Sequence, residues 1–321
     1  MARIVFMGTP EFGVPVLEAL AAHHEVLAVV TQPDRTAGRG RKRIVAPPVK
    51  EAALELGLEI LQPARLRRDR EVKERMRALG ADLFVIAAYG QILRSDVLAM
   101  PAKGCIGVHA SLLPRWRGAA PIAAAILHGD AETGISLMLT DKGMDTGPVI
   151  AQASLDIAQD DTTDTLSARL SALGAGLLIE TIPAWLAGEI EAQPQDESLV
   201  TCAPPFAKAQ GGINWHRSAL AIDRQIRAMT PWPGAFCGCV HGGLRILKAR
   251  PLPDWEGEQP PGYVVEHERQ IGVATGRGLL ILDRVQLAGK RAMDARQFSM
   301  GRRDFICSLL ESAGCGAQND D

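Results

Sequence analysis

Thiols are scarce in this chain and stand apart. Six cysteines (Cys105, Cys202, Cys237, Cys239, Cys307, Cys315) are scattered through 321 residues, and no CxxC pair occurs among them. That usage excludes a disulfide scaffold and fits a reducing compartment. It also argues against a thiolate metal centre, so no bound metal is expected. Cys237 and Cys239 would share one face of a strand as small buried hydrophobes. Also missing is an uncharged run long enough to span a bilayer, so no membrane partner is expected. The opening residues, MARIVF, lead straight into a strand-like stretch. Without the basic and long apolar regions of a signal peptide, the expected location is cytoplasmic. A monomer is the expected state. Neither GxGxxG nor a phosphate-cradling GK[ST] occurs, which weighs against a nicotinamide dehydrogenase or a nucleoside triphosphatase. A net charge of -2 does not announce nucleic acid either.

The length suits two domains. With 47% hydrophobic and 22% charged residues, a sizeable core is available. Charge is unevenly placed: residues 1–207 carry 20 Lys and Arg against 25 Asp and Glu, whereas residues 208–310 carry 15 against 9. A mildly acidic front and a basic back imply different partners, or a basic back that is simply a solvated surface. In the front half, apolar runs at 4–7, 26–30, 83–88, 105–108 and 135–139 alternate with amphipathic segments at 14–22, 47–56, 70–79, 119–127 and 162–186. This is the pattern of a mostly parallel α/β sheet covered by helices. Pro47 and Pro48 suit a helix start, and DTTD (161–164) offers capping side chains. Residues 190–207, with QPQDE (193–197) and APP (203–205), are expected as a linker. A helix over 218–229, ended by PWPG (231–234), then precedes short β-like runs at 235–240, 244–248, 262–266, 271–275 and 279–285, as in a small barrel. The expected divisions are 1–189, a linker at 190–207, 208–310, and a flexible tail at 311–321.

Four segments carry the chemistry. GTPEFG (8–13) follows the first strand, either as a simple glycine turn or as part of a pocket beyond the strand ends. TQPDRTAGRGRKR (31–43) places Arg35, Arg39, Arg41, Lys42 and Arg43 around two glycines. Such a loop can follow a nucleic-acid backbone or lie solvated at the surface. In GCIGVHASLLPRWRG (104–118), His109 ends a strand, as a structural histidine or as a general acid/base held on a rigid element. DKGMDTG (141–147) brings a second polar turn after a later strand, and a carboxylate at Asp145 beside the imidazole would orient it.

These segments, with AYGQIL (88–93) and GKRAM (289–293), resemble the methionyl-tRNA formyltransferases in kind and order over nearly the whole chain. The resemblance implies a Rossmann-like formyl-transfer domain joined to a C-terminal barrel resembling the OB-fold. It implies transfer of a formyl group from 10-formyltetrahydrofolate, the folate co-substrate, to the α-amino group of initiator methionyl-tRNA. Carried over by motif, His109 and Asp145 match the catalytic pair. Ser111, Leu112, Leu113 and Pro114 match the loop that contacts tetrahydrofolate. Arg39 matches an arginine that engages the tRNA acceptor end, in the loop that also holds Arg41, Lys42 and Arg43.

One position departs from the family. Its catalytic segment reads Asn-Val-His, whereas here Gly107 precedes Val108 and His109. The asparagine is credited with a hydrogen bond to the formyl oxygen, and removing one such donor typically costs about 10²–10³ in rate. Two other readings stay open: a folate-dependent formyltransferase acting on a small amine or amino sugar and, because of this departure, a weakened homologue that binds RNA.

Overall fold

The computed structural model describes residues 1–37 and 43–313. They fall into two compact units: one gathers Met1–Pro121, Glu132–Asp156 and Leu166–Ala203, the other Ile122–Ala131, Ile157–Thr165 and the chain from Pro204 onward.

The first elements are β1 (Arg3–Gly8), α1 (Val14–His23) and β2 (Glu25–Val30). β3 (Arg35–Ala37) and β4 (Arg43–Val45) pair antiparallel ahead of α2 (Pro48–Glu55), β5 (Ile60–Leu61) and α3 (Arg70–Ala78). Next come β6 (Leu83–Ala87), the short α4 (Ser95–Leu98), β7 (Cys105–His109) and β8 (Arg117–Gly118). α5 (Pro121–His128), β9 (Glu132–Leu139), β10 (Val149–Asp156), α6 (Thr163–Ala187) and β11 (Cys202–Ala203) complete this stretch.

Seven strands build the sheet of the first unit in the order β10-β9-β7-β6-β1-β2-β5. The pairings from β5 to β7 are all parallel, and β9 alone runs against both its neighbours. The mostly parallel α/β sheet read from the apolar runs is therefore present, with one reversal. Only the turn over 140–148 joins β9 to β10, and so short a link can connect only antiparallel strands. β10 has no counterpart in the sequence reading because Ile150 is its one buried residue. An edge strand with so little apolar content offers no run to detect.

Helix starts follow the local chemistry. Pro47 stands at the cap of α2 with Pro48 inside its first turn. Thr162 Oγ1 accepts the Thr165 backbone N–H at 3.3 Å while Thr165 Oγ1 accepts that of Thr162 at 2.9 Å. These two bonds satisfy donors that α6 leaves without helical partners. By length and composition α6 could cross a membrane. Its recurring Leu166, Leu170, Gly174, Leu178 and Ile182 are instead buried. A Cβ on Gly174 would stand 3.0 Å from Val108 Cγ1, so this helix lies close on β7. Each fully buried Leu or Ile contributes roughly 1.5–3 kcal/mol of transfer free energy.

The expected linker is structured in its first part. Gln193 and Val149 exchange backbone hydrogen bonds at 2.8 and 2.7 Å, and β11 pairs parallel with β8. The chain thus remains part of the first unit as far as Ala203.

The second unit contains α7 (Ala219–Ala228), β12 (Ala235–Cys239), β13 (Gly242–Leu252), β14 (Val264–His267), β15 (Gln270–Ala274), β16 (Leu279–Leu287), β17 (Met293–Asp294) and α8 (Ala295–Met300). Ser218 caps α7, accepting the Ala221 N–H at 3.2 Å. The antiparallel sheet runs β12-β13-β16-β15-β14, with β17 on β16. A final segment lies between its two edges. Leu310 N–H donates to Gly262 at 2.8 Å, and Glu311 exchanges bonds of 3.0 and 3.1 Å with Gly238. Both outer strands are thereby covered, as in a barrel. Because Ala313 N–H also reaches the Ile213 carbonyl at 3.1 Å, the expected tail from 311 is bonded into the barrel through 313. The rest of that expected tail, 314–321, lies outside the described residues. Trp215, Ile222, Ile246, Val264, Leu280 and Phe298 fill the core.

Candidate active site

From β1 the chain first builds outward to β2 and β5, then returns to place β6 and β7 on the other side of β1. The crevice outside the carboxyl ends at such a switch is where open α/β sheets bind ligands. Three loops meet there: Thr9 Oγ1 and Gln32 Nε2 both donate to the Tyr89 carbonyl, at 3.0 and 3.2 Å. A Cβ on Gly8 would stand 2.9 Å from the Ala87 carbonyl oxygen, so close strand packing accounts for that glycine.

Side chains alternate along β7, which puts Cys105, Gly107 and His109 on one face and Ile106 and Val108 on the face toward α6. His109 Nε2 lies 3.0 Å from the Trp116 carbonyl oxygen. A carbonyl can only accept, so Nε2 carries hydrogen and Nδ1 is the remaining nitrogen. Nδ1 faces Asp145 Oδ1 at 3.7 Å, with His109 and Asp145 side chains 9% and 20% exposed. This is ion-pair distance and longer than a hydrogen bond, a common state of catalytic pairs before substrate arrives. The two motifs, far apart in the chain, therefore do converge.

Asp145 is held from several sides. Its φ of 56° is left-handed, a conformation that non-glycine residues adopt only under constraint. Gly118 N–H donates to its Oδ2 at 2.8 Å. Gln195 Nε2 donates to the carbonyls of Asp145 and Gly147 at 2.8 and 2.7 Å. Only glycine fits at 118, where φ is 123° and a Cβ would stand 2.6 Å from the Ala203 carbonyl oxygen.

Gln195 also accepts from Arg117 Nε at 2.9 Å, so one amide ties the His109 loop to the Asp145 turn. Arg117 makes two further bonds to Glu197, at 2.8 and 3.2 Å, and holds that carboxyl below the usual carboxylate range. Thr201 Oγ1 accepts the Trp116 N–H at 2.9 Å. Sequence reading missed Gln195 and Thr201 because a polar stretch with prolines and no periodicity looks the same whether it is loose or docked.

The loop at 111–114 is fixed from within. Ser111 Oγ donates to the Arg115 carbonyl at 2.5 Å. Ser136 Oγ donates to the Ser111 carbonyl at 2.7 Å and accepts from Leu113 N–H and Gln152 Nε2 at 2.9 and 2.8 Å. Ser111 and Leu113 are buried, and Leu112 and Pro114 half-buried. The turn that carries Asp145 also borders an open cleft of about 490 Å³ lined by Ser95, Leu98, Ala99, Asp141, Lys142 and Gly143. Arg39, Arg41 and Lys42 lie outside the described residues, and Arg43 begins β4. In the second unit, Arg227 and Arg250 are paired with Asp223 and Asp283, at 2.8 and 3.0 Å, whereas Arg217, Lys248, Lys290 and Arg291 are exposed. Among the described residues, no group of three or more His, Cys, Asp or Glu is arranged to hold a metal ion.

Residues 2–182 match the formyl transferase family model, and residues 205–303 match that of the formyl transferase C-terminal domain. The methionyl-tRNA formyltransferase of Methylococcus capsulatus is 48% identical over 297 residues, covering 92% of this chain and 96% of the relative. That of Myxococcus xanthus is 46% identical over 302 residues, covering 94% and 95%. Among solved structures, an N-formyltransferase from Helicobacter canadensis, in complex with folinic acid and dTDP-3-aminofucose, superposes with a TM-score of 0.64 at 19% identity. It covers 88% of this chain and 98% of that one, a likeness of fold. Glycinamide ribonucleotide transformylase 1 from Symbiobacterium toebii gives a TM-score of 0.51 at 25% identity, over 61% of this chain and 95% of its own.

Proposed function

The chain belongs to the methionyl-tRNA formyltransferase family, and on that premise we propose that His109 and Asp145 move a formyl group from 10-formyltetrahydrofolate to the α-amino group of initiator methionyl-tRNA. The observation that carries this reading is the meeting of His109 and Asp145 at the carboxyl edge of the sheet. The α-amino nitrogen attacks the formyl carbon, a new C–N bond forms, and the bond from that carbon to the folate nitrogen breaks. With a pKa of about 7.7–8.0, an α-amino group is appreciably neutral near pH 7. One proton must leave the attacking nitrogen and one must reach the departing nitrogen. His109 carries it through Nδ1, since Nε2 is committed to Trp116, while Asp145 balances the imidazolium as it forms.

Folate is the co-substrate. Its formyl-bearing part sits against Ser111, Leu112, Leu113 and Pro114, with the cleft beside Asp141 taking the heterocycle. Arg39, Arg41, Lys42 and Arg43 engage phosphates near the tRNA acceptor end, and exposed cations of the second unit add sequence-independent attraction. One copy carries the catalytic pair and the basic second unit, so the working form is a monomer. The reaction belongs where charged tRNA is used, in the cytoplasm.

A sugar-amine or glycinamide substrate is the rival. It is disfavoured because identities of 46–48% attach to methionyl-tRNA enzymes and 19–25% to the others. The test is formyl transfer from 10-formyltetrahydrofolate, measured on charged initiator tRNA and on free amines. Transfer to the tRNA is expected, with His109→Ala lowering turnover by about 10²–10⁴ while tRNA binding persists. Preference for a free amine, or near-normal turnover without His109, would overturn the reading.

A further inference from the structure

Gly107 lies on the same face of β7 as His109, two residues before it. It pairs with Met138 of β9, and Thr140 N–H donates to the Cys105 carbonyl at 2.8 Å, so Met138 and Thr140 share that face. A Cβ built on Gly107 would stand 3.0 Å from Thr140 Oγ1 and 3.2 Å from the terminal methyl of Met138. Thr140 Oγ1 is buried and has no hydrogen-bond partner. The contrast with Ser136 on the same strand is direct, because that hydroxyl makes three bonds. A buried hydroxyl offers one donor and two lone pairs and is almost always satisfied. One left over against position 107, two residues before His109 on the same face, needs an explanation.

We propose that the Thr140 hydroxyl is the oxyanion donor of this site, supplied from the end of β9 where position 107 has no side chain. This rests on the reading of His109 as the proton carrier of formyl transfer. When the amine attacks, the formyl C=O becomes a tetrahedral C–O⁻, and the carbonyl re-forms as the bond to the folate nitrogen breaks. A donor aimed at that oxygen acts only while the charge exists, which is how such groups raise turnover rather than affinity. Gly107 is buried with Met138 and Thr140 closed over it, so the oxygen reaches the hydroxyl only when the Met138 side chain moves. The Met138 side chain lies across the same spot, and its unbranched thioether can swing aside. An asparagine side chain introduced at position 107 would press Met138 and Thr140 aside and bring its own amide, making the threonine redundant.

The experiment measures kcat and KM for Thr140→Val, Thr140→Ser and Thr140→Ala, alone and in the Gly107→Asn background, with His109→Ala in parallel. Valine and alanine should lower kcat on the order of 10²-fold, with both KM values unchanged. Serine should retain most of the rate. Serine and alanine lose the same methyl, so their difference isolates the hydroxyl even if valine folds poorly. In the Gly107→Asn background the loss should shrink to within about threefold, the signature of coupled sites. Unchanged kcat in the hydroxyl-free variants, or an equal loss in both backgrounds, overturns the proposal. If His109→Ala still abolishes turnover in that case, the function stands and only the donor assignment falls. If His109→Ala is harmless, both fall.

Discussion

On one side of His109, Asp145 is surrounded by donors: Gly118 holds its carboxylate, Gln195 holds its carbonyl, and β8 pairs with β11 just behind. On the other side, Gly107, Met138 and Thr140 leave a buried hydroxyl without a partner and a flexible thioether where a side chain would stand. The Asp145 side is thus tied by hydrogen bonds, whereas the Gly107 side is closed by apolar contact around one unsatisfied hydroxyl. Preorganised polar groups cost nothing at the moment of reaction. Removing charge from the fixed side should have the largest effect. Asp145→Asn keeps an oxygen for the Gly118 N–H but loses the anion facing His109 Nδ1, and kcat should fall by about 10²–10⁴. A loss smaller than about tenfold in steady-state assays would mean that the side chain serves the turn and not the imidazole.

Gln195→Ala tests the rigidity of that side without touching the reacting atoms. It leaves the Asp145 and Gly147 carbonyls and Arg117 Nε short of a partner, a loss of about 1–3 kcal/mol in stability. Displacing the carboxylate should also lower kcat by roughly ten- to a hundredfold, with tRNA KM little changed. Gln195→Glu should not rescue it, since a carboxylate cannot donate to two carbonyls. A full-rate alanine variant with a lowered unfolding midpoint would reduce Gln195 to a structural clip.

The basic loop separates binding from both sides of the site. Replacing Arg39, Arg41 and Lys42 together by alanine should weaken tRNA binding and flatten its log–log salt dependence by about two to three. Saturating kcat should hold. An unchanged slope in a salt titration would take the loop off the RNA.

Much of the scaffold could be read before the structure, for identifiable reasons. Strands buried on both faces, such as β1 with five buried residues of six, announce themselves as apolar runs. Proline and serine mark the starts of α2 and α7. β10 escaped because burial alternates weakly at an edge, and α8 because six residues span too few turns for a period to emerge. The site was legible only in pieces. His109 and Asp145 were visible as residues at strand ends, but their meeting depends on β7 and β9 lying side by side. That is long-range pairing, which local pattern does not encode. Gln195 was invisible because its role lies wholly in what it touches. The Thr140 hydroxyl was invisible for the opposite reason, since it touches nothing polar.

The smallest expected effect compares the two sides in the intact protein, using cysteines already present. Cys105 sits on the Gly107 face, where burial pushes its thiol up to about 12, and it donates to the Leu98 carbonyl at 3.7 Å. Cys202 lies in β11 behind the Asp145 turn and is exposed. Only the thiolate alkylates, so at about pH 8 iodoacetamide followed by peptide mass spectrometry should label Cys202 readily and leave Cys105 protected. The Cys105 thiol packs with Phe84, Val97 and Leu98, so its slow labelling rate reads local opening of that core. Denaturant should abolish the difference between the two cysteines. Rapid labelling of Cys105 under native conditions would mean that this core opens readily, and that its contrast with the Asp145 side is one of order as well as of packing.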